Sequence, residues 1–301
     1  PRFTPALFEK YLIDLPKGAV FYGPPGCGKT LLARAVASEI KEMGRGVDFF
    51  LGSGPEFLVK WVGDSEQKVR EPAEYAKANP DRIVLYVVDE IDAVCRTRGS
   101  SAHAGVNDSI VTQFNTILDG FIQIPNLIFI GITNRLDLID SSILRPGRLD
   151  LHLKIPRPDR ASAAKILKIY LAGEIPLHPK YCDAKHPDFS KEEYAAFEGK
   201  REGIVDYIVR ETLDHIFGAE GGSPTKKQEV AVIEYVENGE RQALHIADFM
   251  SGALLRDIAN KAKLAAALSE HGGNEGGIKV KYFHAHVDSM AQKLRDQINR
   301  S

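Results

Sequence analysis

Residues 23–30 read Gly23-Pro24-Pro25-Gly26-Cys27-Gly28-Lys29-Thr30. The apolar run Ala19-Val20-Phe21-Tyr22 precedes them, and Leu31-Leu32-Ala33-Arg34-Ala35-Val36-Ala37 follows as a helix start. Strand, glycine-rich loop and helix, in that order, are the setting in which this motif reads as a phosphate-binding loop. Small residues let successive backbone N–H groups turn inward around a phosphate chain. The helix opening at Lys29 points its positive end at the same place. Lys29 can then reach the β- and γ-phosphates of ATP, and Thr30 can hold Mg²⁺. Residues 23–31, Leu31 included, are the expected nucleotide cradle. The plainer alternative is a glycine-rich turn with a chance Lys-Thr pair.

A second motif weakens that alternative. The run Ile83-Val84-Leu85-Tyr86-Val87-Val88 ends in Asp89-Glu90-Ile91-Asp92, which delivers acids at the carboxyl end of a buried strand, where open α/β sheets bind ligands. Asp89 suits Mg²⁺ coordination, and Glu90 is placed to polarise an attacking water. Another apolar run, residues 127–132, leads into Thr133-Asn134-Arg135. Asn134 at that strand tip is a candidate sensor of the γ-phosphate, with capping of the following helix as the alternative. Residues 141–150 place Arg145 and Arg148 around Pro146-Gly147. Guanidinium groups on a rigid turn suit an arginine-finger role; surface salt bridging is the plainer use.

These motifs sit in an alternating pattern. Short apolar runs at residues 19–22, 47–51, 83–88, 127–132 and 151–155 suit parallel strands covered on both faces. Helical patterns at 65–77 and 107–118 lie between them, so the fold class is α/β, a P-loop sheet domain over residues 1–157. After Ile155-Pro156-Arg157-Pro158-Asp159 the pattern turns mainly helical, at 160–171, 203–217, 252–269 and 282–299, giving a lid domain over residues 158–301. Residues 230–236 and 241–246 flank Glu237-Asn238-Gly239-Glu240, which predicts a β-hairpin insertion near 229–246 because Asn-Gly accepts positive φ. The glycine-rich stretches 218–227 and 271–277 read as mobile loops.

Composition narrows the classes. With 44% hydrophobic and 27% charged residues over 301 positions, the chain reads as soluble and globular. A formal net charge of −2 provides no field to recruit nucleic acid or an anionic membrane. Cys27, Cys95 and Cys182 are too few and too scattered for a disulfide framework or a zinc site, which fits a cytoplasmic protein. No stretch reaches membrane-spanning length. The chain opens on Pro1 without an initiator Met and is expected to be a piece of a longer one.

Taken together, the blocks resemble the AAA ATPases, in that family's motif order: phosphate loop, strand-end acids, Leu118-Asp119-Gly120-Phe121, Asn134, and Leu144-Arg145-Pro146-Gly147-Arg148. The resemblance implies hexameric rings with nucleotide between subunits, Arg145 and Arg148 acting on the neighbour's ATP. It places Ile166 and Tyr170, on one face of a lid helix, near adenine and ribose, with lid core packing as the alternative for Tyr170. Ser251-Gly252-Ala253 is similar to the lid motif near the nucleotide, so Gly252 and Ala253 join the expected contacts. Lys60-Trp61-Val62-Gly63 aligns with the aromatic loop lining the axial channel, whereas a lone Trp read by itself is core. Residues 98–106 would be a second channel loop.

Within that family the chain is most similar to the bacterial proteasome-associated ATPases, through Arg96-Thr97-Arg98-Gly99 and the hairpin before Ala247-Asp248-Phe249-Met250-Ser251. That likeness implies a homohexameric unfoldase feeding protein substrates to a proteasome core, with coiled-coil and oligonucleotide-fold domains ahead of this piece. The family's carboxyl-terminal docking motif is not found in Gln297-Ile298-Asn299-Arg300-Ser301. A remodelling ATPase without a protease and a non-catalytic nucleotide-gated scaffold stay open as alternatives. No interleaved basic–aromatic stretch supports a nucleic-acid partner, and no membrane partner is expected.

Overall fold

A computed structural model describes residues 10, 18–44, 46–59, 64–96, 116, 118–119, 124–182, 200–222, 226–234 and 239–298. The chain divides into two compact units, Pro1–Pro156 and Arg157–Ser301.

The first unit is organised by strand alternation. In β3 (Ile83–Asp89), Val84, Tyr86 and Val88 face one side while Leu85 and Val87 face the other, and all five are buried. A strand covered on both faces needs apolar residues at every position, which is why it reads as a continuous run. The sheet is parallel with order β2-β3-β4-β1-β5. Its other strands are β1 (Gly18–Tyr22), β2 (Val47–Ser53), β4 (Leu127–Thr133) and β5 (Leu151–Lys154). Helix α1 (Lys29–Glu42) covers one face through Ala33, Val36 and Ala37. Helices α2 (Gly54–Val59) and α3 (Asp64–Ala78) cover the other through Phe57, Val69 and Ala76.

One expectation needs correction. β5 is not covered on both faces: all four of its residues are exposed, Leu151 and Leu153 among them. Among the described residues it pairs only with β1, at the edge of the sheet. The expected helix at 107–118 lies almost wholly outside the described residues.

The second unit packs α4 (Arg160–Leu171), α5 (Arg201–Phe217), α6 (Gly252–His271) and α7 (Val280–Ile298) around Leu167, Tyr181, Ile208, Ile258 and Phe283. Asp159 caps α4 by accepting from Ser162 N at 2.7 Å, and this bond, first among several causes, holds its carboxyl below the usual range. The expected hairpin is present as antiparallel β6 (Glu229–Glu234) and β7 (Arg241–His245), with Glu234 opposite Arg241 and their side chains paired at 3.1 Å. The stretch read as a mobile loop at 271–277 leads into a fixed contact. Ile278 N donates to Pro176 O at 2.9 Å, and His178 Nε2 lies 3.2 Å from Glu275. Among the described residues, no helix is long and apolar enough to cross a membrane.

Candidate functional site

Three neighbouring strands, β3, β4 and β1, end on the same side of the sheet and deliver the motif residues together. After Tyr22 the loop begins at Gly23, where φ is 145° and a Cβ would lie 2.1 Å from the Ile155 carbonyl oxygen. No side chain fits there. Gly28 caps α1 at φ 91° with open space around it, so conformation rather than crowding selects glycine. No side chain caps this helix start, and its first N–H groups have no carbonyl partner within the helix.

Lys29 is buried, and its ammonium is fully engaged. Nζ donates to Gly23 O at 2.9 Å, to Pro24 O at 2.8 Å and to Asn134 Oδ1 at 2.8 Å. Burial pushes its pKa down, partly opposed by Cys27 and Asp89; an anion in the loop would favour the charged form again. Thr30 Oγ1 donates to Asp89 Oδ2 at 2.7 Å, and Glu90 N donates to the other Asp89 oxygen at 2.9 Å. A hydroxyl and a carboxylate in contact form an oxygen pair suited to Mg²⁺.

Glu90 stands out by its backbone. At φ 52° and ψ 41° it is the one non-glycine with positive φ among the described residues. That conformation costs an ordinary side chain about 1–2 kcal/mol, and such outliers cluster at functional sites. With Leu51, Gly52, Ser53, Glu56 and Asp89, Glu90 lines an open cleft of about 310 Å³. Asn134 does not cap the next turn. The 3₁₀ turn Leu136–Leu138 starts from Arg135 without a side-chain cap, and Asn134 turns back to Lys29.

The two arginines differ. Arg145 is exposed, while Arg148 makes a bidentate pair with Asp119, Nε to Oδ1 at 2.7 Å and Nη2 to Oδ2 at 2.8 Å, and also donates to Ser142 O. In the second unit, Ile166 and Tyr170 are half-buried against the lid core. Gly252 and Ala253 open α6, which Ser251 caps by accepting from Leu254 N at 3.3 Å. Lys60, Trp61, Val62 and Gly63, like residues 98–106, lie outside the described residues.

Sequence reading missed a further pair. Thr133 Oγ1 donates to Asp92 Oδ1 at 2.6 Å and accepts from Arg135 N at 2.9 Å. The available signal was position alone: both sit in the strand-end segments already singled out.

Comparison with known proteins identifies the family of each unit. Residues 19–157 match the model for the ATPase family associated with various cellular activities (AAA), and residues 158–299 match the ARC, AAA+ ATPase lid domain. Among similar proteins, a proteasome-associated ATPase of Geodermatophilus obscurus is 37% identical over 95% of this chain and 47% of its own length. Those of Frankia casuarinae and Acidothermus cellulolyticus are each 35% identical over 95% of this chain, covering 46% and 48% of their lengths. The chain spans about half the length of the curated relatives it matches. It belongs to the AAA ATPases, with an AAA nucleotide-binding domain followed by a lid of the ARC type.

Proposed function

We propose that the chain is the motor portion of an ATP-hydrolysing protein unfoldase, a cytoplasmic homohexamer that passes protein substrates to a proteasome core. The observation that carries the hydrolysis reading is the Lys29 ammonium. It ties the phosphate loop to Asn134, one residue pair from the Thr30–Asp89 contact. In this reading Lys29 binds the phosphates, and Thr30 and Asp89 hold Mg²⁺, whose charge offsets that of the phosphate oxygens. Glu90 takes the proton of the attacking water, and Asn134 orients that water. Arg145 and Arg148 serve the nucleotide of the adjoining subunit. Ile166, Tyr170, Gly252 and Ala253 line the base and ribose. Lys60, Trp61 and Val62 grip the threaded polypeptide. The proteasome and the ring rest on the relatives' shared name and family.

Phosphate release with Mg²⁺ tests the core of this reading. Glu90→Gln should bind ATP normally yet hydrolyse it about 10²–10⁴-fold more slowly, the range for loss of a general base. Wild-type turnover in Glu90→Gln, or no turnover in the unaltered protein, would defeat it. Loss of a folded, tagged substrate in the presence of ATP and a proteasome core tests the partner. Unfolding that never reaches the protease would leave a remodelling ATPase instead.

A further inference from the structure

Two groups from different strands must face one water: Glu90 after β3 and Asn134 after β4. Neither is held by its own element. Glu90 lies past the last residue of β3 in a left-handed conformation, and Asn134 lies past the last residue of β4. A displacement of about 1 Å between reacting groups costs on the order of 10²-fold in rate, so something outside both side chains must fix their separation.

The Thr133 hydroxyl supplies the link. It has one proton and is fully buried. Arg135 N–H occupies its acceptor side at 2.9 Å, so the proton is directed to Asp92 at 2.6 Å, a charge-assisted bond. Asp92 lies in the 3₁₀ turn that follows Glu90, which Ala93 N closes by donating to Glu90 O at 2.9 Å. Ile91 anchors this turn in the core with no exposed surface. Asn134 is therefore flanked by Thr133, which is bonded to the turn that carries Glu90, and by Arg135, whose N–H is bonded to the Thr133 hydroxyl. Among the described residues, Lys29 and Thr30 bond to Asn134 and Asp89 and make no hydrogen bond with Asp92 or Thr133.

We propose that Asp92 and Thr133 are a positioning pair that sets the distance between Glu90 and Asn134 and acts on hydrolysis without contributing to nucleotide binding. This deepens the ATPase reading and rests on it. The bond bridges 41 positions of sequence and joins the ends of two adjacent strands, so it can be cut with little change of shape.

The test uses Thr133→Val, Thr133→Ser and Asp92→Ala in the full chain, with turnover, KM for ATP and affinity for a fluorescent ADP analogue measured together. Thr133→Val and Asp92→Ala should each lower kcat by about 10–100-fold while KM and ADP affinity stay within about three-fold. Thr133→Ser should recover most of the rate. The double variant should be no slower than the worse single one, because both cut the same bond. Amide hydrogen exchange gives a readout independent of catalysis: the Arg135 N–H should lose protection in Thr133→Val and keep it in Thr133→Ser. Unchanged kcat, affinity falling in step with kcat, a serine variant as slow as valine, or an Arg135 amide still protected in valine would each overturn the proposal. A wild-type protein without turnover would defeat the ATPase reading instead, and the exchange result would still judge the bridge.

Discussion

At the carboxyl ends of β1, β3 and β4, small polar groups bond across the chain: Lys29 to Asn134, Thr30 to Asp89, Thr133 to Asp92. In the lid unit the long-range contacts are mainly apolar, with Leu167, Ile208, Ile258 and Phe283 meeting at its centre. Many of its polar bonds sit at helix ends, as with Asp159, Ser251 and the Arg160–Asp214 pair. The strand tips depend on direction and distance, which hydrogen bonds fix. The lid depends on buried area, which is indifferent to direction. Changes at the strand tips should therefore cost chemistry without stability, and changes at the centre of the lid core the reverse.

The largest effect that could break this contrast is expected in the lid. Phe283 has no exposed surface, and Phe283→Ala should cost about 3–5 kcal/mol by urea denaturation, with ATP turnover per folded molecule unchanged. Lys29→Ala should do the opposite. If Lys29 binds phosphate as proposed, its loss should lower turnover on the order of 10²–10³-fold, while the melting temperature holds, because a partly desolvated cation has been removed. If Lys29→Ala unfolded the protein, the strand tips would be structural after all. Ser251→Ala sharpens the lid side with a smaller change. Loss of the α6 cap should cost about 1 kcal/mol, read from a urea titration.

The smallest effect lies at the opposite, amino-terminal end of the sheet. The Arg82 guanidinium, through its hydrogen bonds, holds the Asp48 carboxyl below its usual pKa. A lowered carboxylate pKa contributes stability that is present above the ordinary value and lost as pH falls through the folded one. Melting temperatures of wild type and Asp48→Asn should therefore differ near neutral pH and converge in acid. Turnover should not respond, since Asp48 is remote from the strand tips.

Much of this was legible in the sequence, for identifiable reasons. Strands covered on both faces are uninterrupted apolar runs, so β1, β3 and β4 could be read almost to the residue. The glycines of the phosphate loop and the acids at 89–90 are local patterns, each carrying its own chemistry. The hairpin followed from Asn238-Gly239. The exposure of β5 was not legible, because Leu151-His152-Leu153-Lys154 does not say whether a neighbour lies on one side or two. Short α2, from Gly54 with Pro55 in its first turn, lacks the length for a period to show. The Asp92–Thr133 and Arg148–Asp119 bonds join residues 41 and 29 positions apart, and no local pattern records such pairings. The half-burial of Ile166 and Tyr170 against the lid core is equally what an amphipathic helix would give with no nucleotide nearby.

Glu90 carries a consequence for anyone engineering this chain. Its left-handed backbone favours Gly or Asn on conformational grounds, so a stabilisation campaign scored on melting temperature alone would nominate position 90 early. If Glu90 is the base proposed above, the resulting protein would be hardier and far slower. Selection for activity and selection for endurance pull in opposite directions at this one residue, and a library that leaves it free to vary would drift toward the silent solution.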